Sequence, residues 1–456
     1  MIKRIFISFM IAIMTLSFAG CKKSYDEKNL PQYQEQKFEI SALSGPHEMS
    51  EEAFKQYKDA GFNVFAFSNH NGLYDSDNLY YLGSNRTEKA LELCKKVGLD
   101  AYVAYGNSWA TREIEGEDYF GDTPFSKHNY YGEYMDIIKG IRIMDEPNKE
   151  KVEQLSQDIL INDFKKVYSD KKYMINLIPE TAITSRDYQS YTEMLEHFGN
   201  GILSKFENPY ISVDCYLYSK SDSVGGNIIN NYNQIAKCAK KYGAETTFIL
   251  QATTGREFLD TLSEADMRQQ AYLAIAFGAD NLQYYSYTIP TEIEYDYCML
   301  QKDNKTPSEL YYHVKNINTE IQNFASAVLA YDWKQSIGVS GTEDQTFHVA
   351  SIEYDANFEK VSITDSKNYV SATGTQDLVV SQFESKNHGE AFMFVNFGRN
   401  DGKVNTVNAT FKGCGAVAIY GGEGYSGTPQ IIKPDKEGKL AFELNYGEGV
   451  FVTPIK

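Results

Sequence analysis

The segment from Gly140 to Pro147 carries the residues of this chain with the clearest chemical potential. It is an apolar, strand-like run that ends in two adjacent carboxylates, Asp145 and Glu146, just before the proline. In parallel α/β folds the carboxyl ends of the strands open onto the active-site face, so an acid pair at such a tip favours contact with a ligand. The alternative is that Asp145 caps a following helix, where the helix dipole favours a carboxylate.

The composition of the 456 residues is that of an ordinary globular protein, and the length predicts two domains. Asp and Glu total 62 against 44 Lys and Arg, a formal net charge of -18. Such a surface repels a nucleic-acid backbone, so we expect no nucleic-acid partner. The 35 tyrosines and 26 phenylalanines suit flat platforms on which sugars stack, although an aromatic core explains them equally well.

Residues 1–21 predict an export signal, with a basic start, a nearly continuous apolar run from Ile5 to Phe18, and small residues before Cys21. The sequence Phe-Ala-Gly-Cys resembles the lipobox of bacterial lipoproteins, which implies that Cys21 becomes a lipidated N-terminus. Residues 22–36 are polar and unpatterned, and we interpret them as a flexible tether. We therefore expect an exported protein that is anchored by its lipid to a membrane of the cell envelope, the outer membrane.

The distribution of cysteines and histidines predicts no metal site. The seven histidines include no HExxH pair, and the five remaining cysteines show no CxxC spacing, which suits single buried thiols better than a disulfide framework. A glycine-rich phosphate loop is also missing from the sequence, so we expect no nucleotide and no cofactor. These cysteines are Cys94, Cys215, Cys238, Cys298 and Cys414.

Eight β-rich runs alternate with helical patterns between residues 38 and 330, which predicts a parallel sheet closed into a (β/α)8 TIM barrel. An open doubly wound sheet would give similar local patterns, but the glycine-rich first turn of nucleotide folds is missing. The runs are Phe38–Gly45, Phe62–His70, Asp100–Asn107, Gly140–Pro147, Tyr173–Thr181, Tyr210–Tyr218, Thr246–Thr253 and Asn281–Thr288.

After about residue 333 the pattern changes to short alternating runs separated by turn residues, which predicts a smaller C-terminal β-sandwich. The predicted organisation is a signal peptide at 1–21, a tether at 22–36, a barrel at 37–333 and a sandwich at 334–456. The sandwich runs include Ala391–Phe397, Ala416–Tyr420, Lys439–Leu444 and Gly449–Pro454.

Alternation along the strands sorts the polar side chains at the tips of the barrel. It places Asp214 and Tyr216 on one face of the sixth run and groups Asn176 with Glu180 on the fifth. Arg142 shares parity with Glu146, which predicts either a place beneath that acid inside the barrel or a structural ion pair elsewhere. Trp109 fits either a sugar platform or a plug packed under its loop. The residues that we predict to contact a substrate are Asn69, His70, Asn107, Trp109, Glu180, Tyr216, Gln251 and Tyr285.

Paired carboxylates, neutral amides and aromatic platforms, without a metal or nucleotide, are what glycoside hydrolysis requires. One carboxyl group protonates the leaving oxygen. A second attacks the anomeric carbon, activates a water molecule, or orients a neighbouring group of the substrate. The proton donor needs a raised pKa, which a closed pocket or a neighbouring carboxylate supplies.

Three stretches resemble the glycoside hydrolase barrel superfamily, including β-galactosidase-type barrels. They are the Asp-Glu-Pro tip of the fourth strand, the helix-like run Arg268–Asp280, and Leu282–Tyr287 after it. The C-terminal run Gly447–Pro454 is similar to the last strand of β-sandwiches appended to such enzymes. The resemblance implies a glycosidase acting on an oligosaccharide or polysaccharide at the cell envelope.

The resemblance also implies roles for individual residues. Glu146 takes the place of the general acid/base, and Asp145 replaces the asparagine that contacts the sugar 2-hydroxyl. Gln251 lies near the expected position of the nucleophilic glutamate at the end of strand seven, and a neutral amide cannot form a glycosyl ester.

Three explanations of this departure stay open. In the first, the nucleophile is Asp214 or Glu180. In the second, the substrate itself assists: Asp145 orients a 2-acetamido group and Glu146 is the acid. Tyr216 or Tyr285 would then donate a hydroxyl hydrogen bond. The third explanation is a barrel that binds glycans at the cell surface without hydrolysing them, through Trp109 and its tyrosines.

Overall fold

The computed structural model describes residues 30–67, 84–104, 134–157, 170–218, 228–256, 258–289, 295–343, 363–398 and 402–455. In these residues an eight-stranded parallel sheet is followed by two antiparallel sheets. The prediction of a TIM barrel followed by a smaller β-sandwich is confirmed.

The barrel strands follow one another in the order β1-β8-β7-β6-β5-β4-β3-β2, each parallel to its neighbours. Side chains in the lumen form a small apolar cluster, while a larger core lies between the strands and the surrounding helices. The strands are β1 Glu39–Ala42, β2 Val64–Ala66, β3 Asp100–Ala104, β4 Ile138–Asp145, β5 Lys172–Leu177, β6 Tyr210–Asp214, β7 Glu245–Gln251 and β8 Asn281–Tyr285.

The seam between β1 and β2 is closed largely by one side chain. The Asn63 amide donates to the Phe38 carbonyl over 2.8 Å and accepts from the Ile40 backbone N–H over 2.8 Å. The Asn63 backbone N–H also donates to the Ile40 carbonyl at 3.1 Å. An amide that carries both a donor and an acceptor thus takes the place of ladder bonds where the two strands diverge.

A charge cluster lies at the amino-terminal ends of the barrel strands. The Lys172 Nζ atom is 2.8 Å from Glu39 and 2.7 Å from Glu245, and Tyr102 donates to the same Glu39 carboxylate. The two carboxylates offset the ammonium group of Lys172, whose side chain is only 14% exposed, and this makes its burial tolerable.

Several of the described helices begin at a polar residue whose side chain caps the first turn. Ser50 accepts from the backbone of the first turn of the first helix, Asn148 does so for the third, and Ser263 with Asp266 forms a capping box. No helix in the described ranges is long and apolar enough to cross a membrane. The described helices are α1 Glu51–Asp59, α2 Ser84–Val97, α3 Lys149–Ser156, α4 Tyr191–Gly201, α5 Ile228–Tyr242, α6 Glu264–Ala276, α7 Glu309–Gln322 and α8 Ala325–Val328, and a 3₁₀ segment spans Glu180–Arg186.

The sandwich begins at Asp332 and packs a six-stranded sheet against a three-stranded one. The sheet orders are β15-β14-β17-β12-β11-β9 and β10-β13-β16, and their facing side chains form a separate apolar core. The strands are β9 Asp332–Val339, β10 Tyr369–Thr373, β11 Leu378–Ser385, β12 Gly389–Asn396, β13 Asn405–Phe411, β14 Ala416–Tyr420, β15 Gln430–Ile432, β16 Lys439–Leu444 and β17 Gly449–Ile455.

Helix α6 joins the two domains through a buried polar network. The Arg268 guanidinium lies 3.3 Å from the Glu320 carboxylate, which also accepts from the Tyr272 hydroxyl at 2.6 Å and from the Gly424 N–H at 3.2 Å. The Tyr272 hydroxyl in turn accepts from the Gly422 N–H of the sandwich. Because each buried polar group has a partner, the network ties the sandwich to the barrel in one arrangement.

The glycine after α6 gives a test of this junction. Gly278 has φ +81°, and a Cβ atom on it would lie 2.6 Å from the Trp333 Cβ; Gly243 after α5 has φ +65° and no neighbour within 4 Å of that point. We expect Gly243→Ala to cost about 1–2 kcal/mol of unfolding free energy, the backbone penalty alone. Gly278→Ala should cost about 1–3 kcal/mol more because Trp333 must move. Urea unfolding measures both, and equal losses would contradict the steric account.

Candidate active site

The carboxyl ends of β4, β5 and β6 bring together the most polar cluster of the barrel mouth. The Asn176 Nδ2 atom donates to Asp145 Oδ1 at 3.2 Å and to Asp214 Oδ1 at 2.9 Å. Ser212 completes the arrangement because its hydroxyl donates to Oδ1 of the Asn176 side chain at 3.2 Å. Since both carboxylate oxygens contact the same nitrogen, they lie no farther apart than 3.2 Å plus 2.9 Å, or 6.1 Å.

A β-bulge in β4 decides which acid points into the barrel. Against β5, Arg142 pairs with Met174 and Met144 with Ile175, so Ile143 is an extra residue. Because a bulge adds one residue, the side chains that follow it face the opposite side of the sheet from the one that regular alternation predicts. Arg142 therefore lies beneath Asp145, with its Nη2 atom 3.0 Å from the Asp145 carboxylate. Of the two alternatives predicted for Arg142, the position beneath Glu146 is therefore wrong, and an ion pair elsewhere is the one that forms.

Glu146 follows the bulge in a left-handed backbone conformation, with φ 44°. Its backbone N–H donates to the Asn176 carbonyl at 2.9 Å, which keeps the tip of β4 against β5. Its carboxylate lies 2.6 Å from Arg186, the last residue of the 3₁₀ segment, and both side chains are 26 % exposed. Glu146 is thus an ion-paired carboxylate at the open end of the cluster, held by a residue 40 positions away in the sequence.

Asp214 differs from the other two acids because no arginine or lysine pairs with it in the described part of the chain. Enclosure in the mouth and the nearby negative charges of Glu146 and Asp145 raise the pKa of Asp214 well above its usual range, against the opposing effect of the Asn176 hydrogen bond. Asp214 therefore retains a proton at a pH where an ordinary aspartate has lost it. A carboxyl group in this state is the form that can act as a general acid.

An aromatic wall borders the same mouth. The rings of Tyr216 and Tyr285 lie 5.9 Å apart and nearly parallel, while Phe258 and Tyr295 pack against them from behind. Burial raises the pKa of both Tyr216 and Tyr285, so their hydroxyl groups stay protonated at neutral pH. Half-buried rings with hydroxyl donors suit contact with the faces and hydroxyls of a sugar.

The side chain of Gln251 is fully buried and engaged by the protein backbone. Its Nε2 atom donates to the Tyr218 carbonyl at 2.9 Å and to the Thr253 carbonyl at 3.3 Å, and its Oε1 atom accepts from the Tyr218 N–H at 3.0 Å. These bonds fix the chain that leaves β6 toward the mouth. Gln251 thus stands at the strand-seven position with its amide oriented into the protein.

Glu180 likewise has partners within the protein. Its carboxylate accepts from the Asn230 amide at 2.5 Å, and its backbone N–H donates to the Asn231 side chain at 2.7 Å. Both contacts attach the start of the 3₁₀ segment to α5, and Arg186 lies at the other end of that segment. Contact of Glu180 with a substrate stays a prediction.

The remaining predicted residues, Asn69, His70, Asn107 and Trp109, lie outside the described residues, as does Cys21. Sequence reasoning grouped Asn176 with Glu180 and did not select it as a site residue, whereas the structure places Asn176 with Asp145 and Asp214. It missed Arg186 altogether. Asn176 could have been selected because it directly precedes the end of its strand. Arg186 gave no such signal, since a 3₁₀ segment and not a strand carries it.

Comparison with known proteins finds solved structures that share this architecture. No family model matches the chain, and no curated protein does. A GH42 β-galactosidase from G. stearothermophilus has a TM-score of 0.56 at 8% identity, covering 93% of this chain and 100% of that chain. A family 39 glycoside hydrolase from Bacteroides cellulosilyticus WH2 has 0.49 at 12% identity, with coverage of 94% and 83%. The likeness to the β-galactosidase establishes the fold.

The raised pKa of Asp214 has a measurable effect on stability. A folded-state pKa above the unfolded value means that folded protein binds the proton more tightly, so stability falls as pH rises from about 4 through the folded value. Asp214→Asn removes this loss and keeps an oxygen for Asn176. We expect it to be as stable as the parent at pH 4 and about 1–3 kcal/mol more stable at high pH.

Asp145→Asn is the matched control, because it deprives Arg142 of its partner, and we expect it to be less stable than the parent at neutral pH. Denaturant unfolding across pH 4 to 9 measures both variants. A stability difference for Asp214→Asn that does not change with pH would refute the assignment.

Proposed function

We propose that this chain hydrolyses glycosidic bonds of an oligosaccharide or polysaccharide at the mouth of its barrel. The observation that carries the proposal is the unequal treatment of three neighbouring carboxyl groups. Asp145 and Glu146 each have an arginine, whereas Asp214 has a neutral amide and a raised pKa. Acid-catalysed cleavage of an acetal needs this combination of a protonated and an ionised carboxyl group.

The geometry favours Asp214 as the proton donor and Glu146 as its ionised partner. Asp145 already uses one oxygen for Asn176 and the other for Arg142. Glu146 uses Oε2 for Arg186, and its second oxygen faces no donor within the described contacts. The sequence resemblance implies that Glu146 is the general acid/base, whereas this assignment makes it the ionised partner. Glu146 is essential in both.

In the proposed reaction the Asp214 proton moves to the glycosidic oxygen as the bond to the anomeric carbon breaks. Glu146 attacks that carbon and forms a glycosyl ester, and a water molecule deprotonated by Asp214 then releases the sugar. Carboxyl groups about 5–5.5 Å apart belong to such retaining enzymes and about 6.5–9.5 Å to inverting ones. The separation that decides the outcome here is the one between the Asp214 and Glu146 carboxyl groups, and the oxygen of Glu146 left unpaired in the described contacts is what supports a nucleophilic role.

The proposal is tested by comparing Asp214→Asn and Glu146→Gln on natural glycans and on aryl glycosides with good leaving groups. Both variants should lose about 10²–10⁴-fold in turnover of natural substrates. Asp214→Asn should recover most activity on the aryl glycosides, because their leaving groups need no proton, and Glu146→Gln should not. Glu196→Gln, on the exposed face of α4, is the matched control and should keep full activity.

A 2-fluoro glycoside should trap the intermediate as an ester on Glu146, detected by peptide mass spectrometry. Recovery by Glu146→Gln instead would return the acid role to Glu146. Turnover restricted to 2-acetamido sugars without trapping would indicate substrate assistance by Asp145. Glycan binding without turnover, across acidic, neutral and acetamido sugars, would support the binding protein and contradict hydrolysis.

The predicted lipidation of Cys21 adds a place of action to this proposal. A lipid-anchored glycosidase would work on glycans that reach the cell envelope, at the surface of the outer membrane. The negative charge of the chain fits neutral glycans better than strongly anionic ones, because like charges repel across the mouth.

A further inference from the structure

Residues 30–38, which we call the strap, lie across the junction of the two domains. The sequence predicts a flexible tether as far as residue 36, yet Tyr33 packs between elements of both domains. Its ring lies 6.1 Å from Tyr331 of the barrel side, and 5.0 Å from His388 and 6.0 Å from Tyr420 of the sandwich. The Tyr33 and Tyr331 hydroxyls are 3.3 Å apart. The strap is therefore part of the folded body.

Side chains of two helices fasten the backbone of the strap. The Gln322 amide accepts from the Phe38 N–H at 3.2 Å and donates to the Phe38 carbonyl at 2.8 Å. The Ser326 hydroxyl accepts from the Gln36 N–H at 2.9 Å and donates to the Gln36 carbonyl at 3.1 Å. Each pair satisfies both backbone groups of one strap residue, as a neighbouring strand would.

The strap lies at the end of the barrel opposite the candidate active site. It leads directly into β1, and parallel strands all begin on one face of a barrel. Asp145 and Asp214 stand at the other ends of their strands. A strand of five to eight residues, tilted in the barrel, separates the two faces by roughly 15–20 Å.

The chain between Cys21 and the strap is short compared with the protein. Nine peptide units connect Cys21 to Leu30, so they span at most about 32 Å and typically about 16 Å if flexible. A folded body of this length is roughly 55 Å across. A lipid on Cys21 would therefore hold the strap near the bilayer and keep the barrel mouth, on the opposite face of this body, farther from it on average.

We propose that the strap fixes the orientation of the protein on a lipid surface, with the amino-terminal face of the barrel toward the membrane and the mouth toward the medium. This inference rests on the predicted lipidation of Cys21 and does not depend on hydrolysis. Its consequence is that a long glycan outside the cell reaches the mouth directly, while a glycan attached to the same membrane does not.

Energy transfer to the membrane tests the orientation. The full-length lipidated protein is bound to phosphatidylcholine vesicles that contain a headgroup-labelled acceptor lipid. A donor dye is placed through a genetically encoded azide at position 332 beside the strap, or at position 184 in the 3₁₀ segment at the mouth, and both positions are exposed. We expect higher transfer from 332 than from 184.

The double variant Tyr33→Ala with Gln322→Ala should release the strap and reduce this difference while retaining vesicle binding. Tyr312→Ala, an exposed tyrosine on α7, is the control and should keep the difference. Vesicle binding with equal transfer, or with higher transfer from 184, overturns the orientation alone. If vesicle binding persists in Cys21→Ser, or if the parent protein never binds, the lipid anchor is contradicted and the orientation with it. Glycan turnover in solution tests the proposed function separately.

Discussion

The electrostatic cost of placing three carboxyl groups at one strand edge is the constraint on which the candidate site depends. Like charges in a confined mouth repel one another strongly, so each group must find a cation, give up its charge, or move away. This protein uses the first two solutions. Arg142 and Arg186 take one carboxylate each, and Asp214 responds by holding its proton. The single amide of Asn176 then bridges Asp145 and Asp214, which keeps the groups together.

The bulge at Ile143 makes this division possible. Without the extra residue, Arg142 and Asp145 would lie on opposite faces of β4, and Asp145 would lack its cation in the lumen. With it, Asp145 turns inward above Arg142 and Glu146 is left in a left-handed conformation facing the 3₁₀ segment. Two adjacent acids therefore enter different surroundings, which is how one dipeptide supplies carboxyl groups with different partners.

The fold was predictable because it depends on repeated sequence patterns. The arrangement of the site was not predictable, since it depends on local departures from those patterns. Eight β-rich runs in alternation with helices indicate the barrel, and residues such as Gly243 and Gly278 indicate where its helices end. Alternation correctly brings Asn176 toward the strand tips. It fails at Arg142, because an added residue in one strand is a pairing property that only the neighbouring strand reveals.

Gln251 is a second residue whose surroundings the sequence pattern does not reveal. Its position at the end of β7 predicts contact with a sugar, whereas the structure uses both ends of its amide to hold the Tyr218 backbone. A glutamate there would have to accept where the Nε2 group now donates to two carbonyl oxygens. The surrounding backbone therefore selects the neutral amide, and a substitution that restores the carboxylate would bury an unpaired charge among carbonyl groups. The end of β7 therefore offers no carboxyl group to the mouth, and the acids of the described polar cluster are those at the tips of β4 and β6.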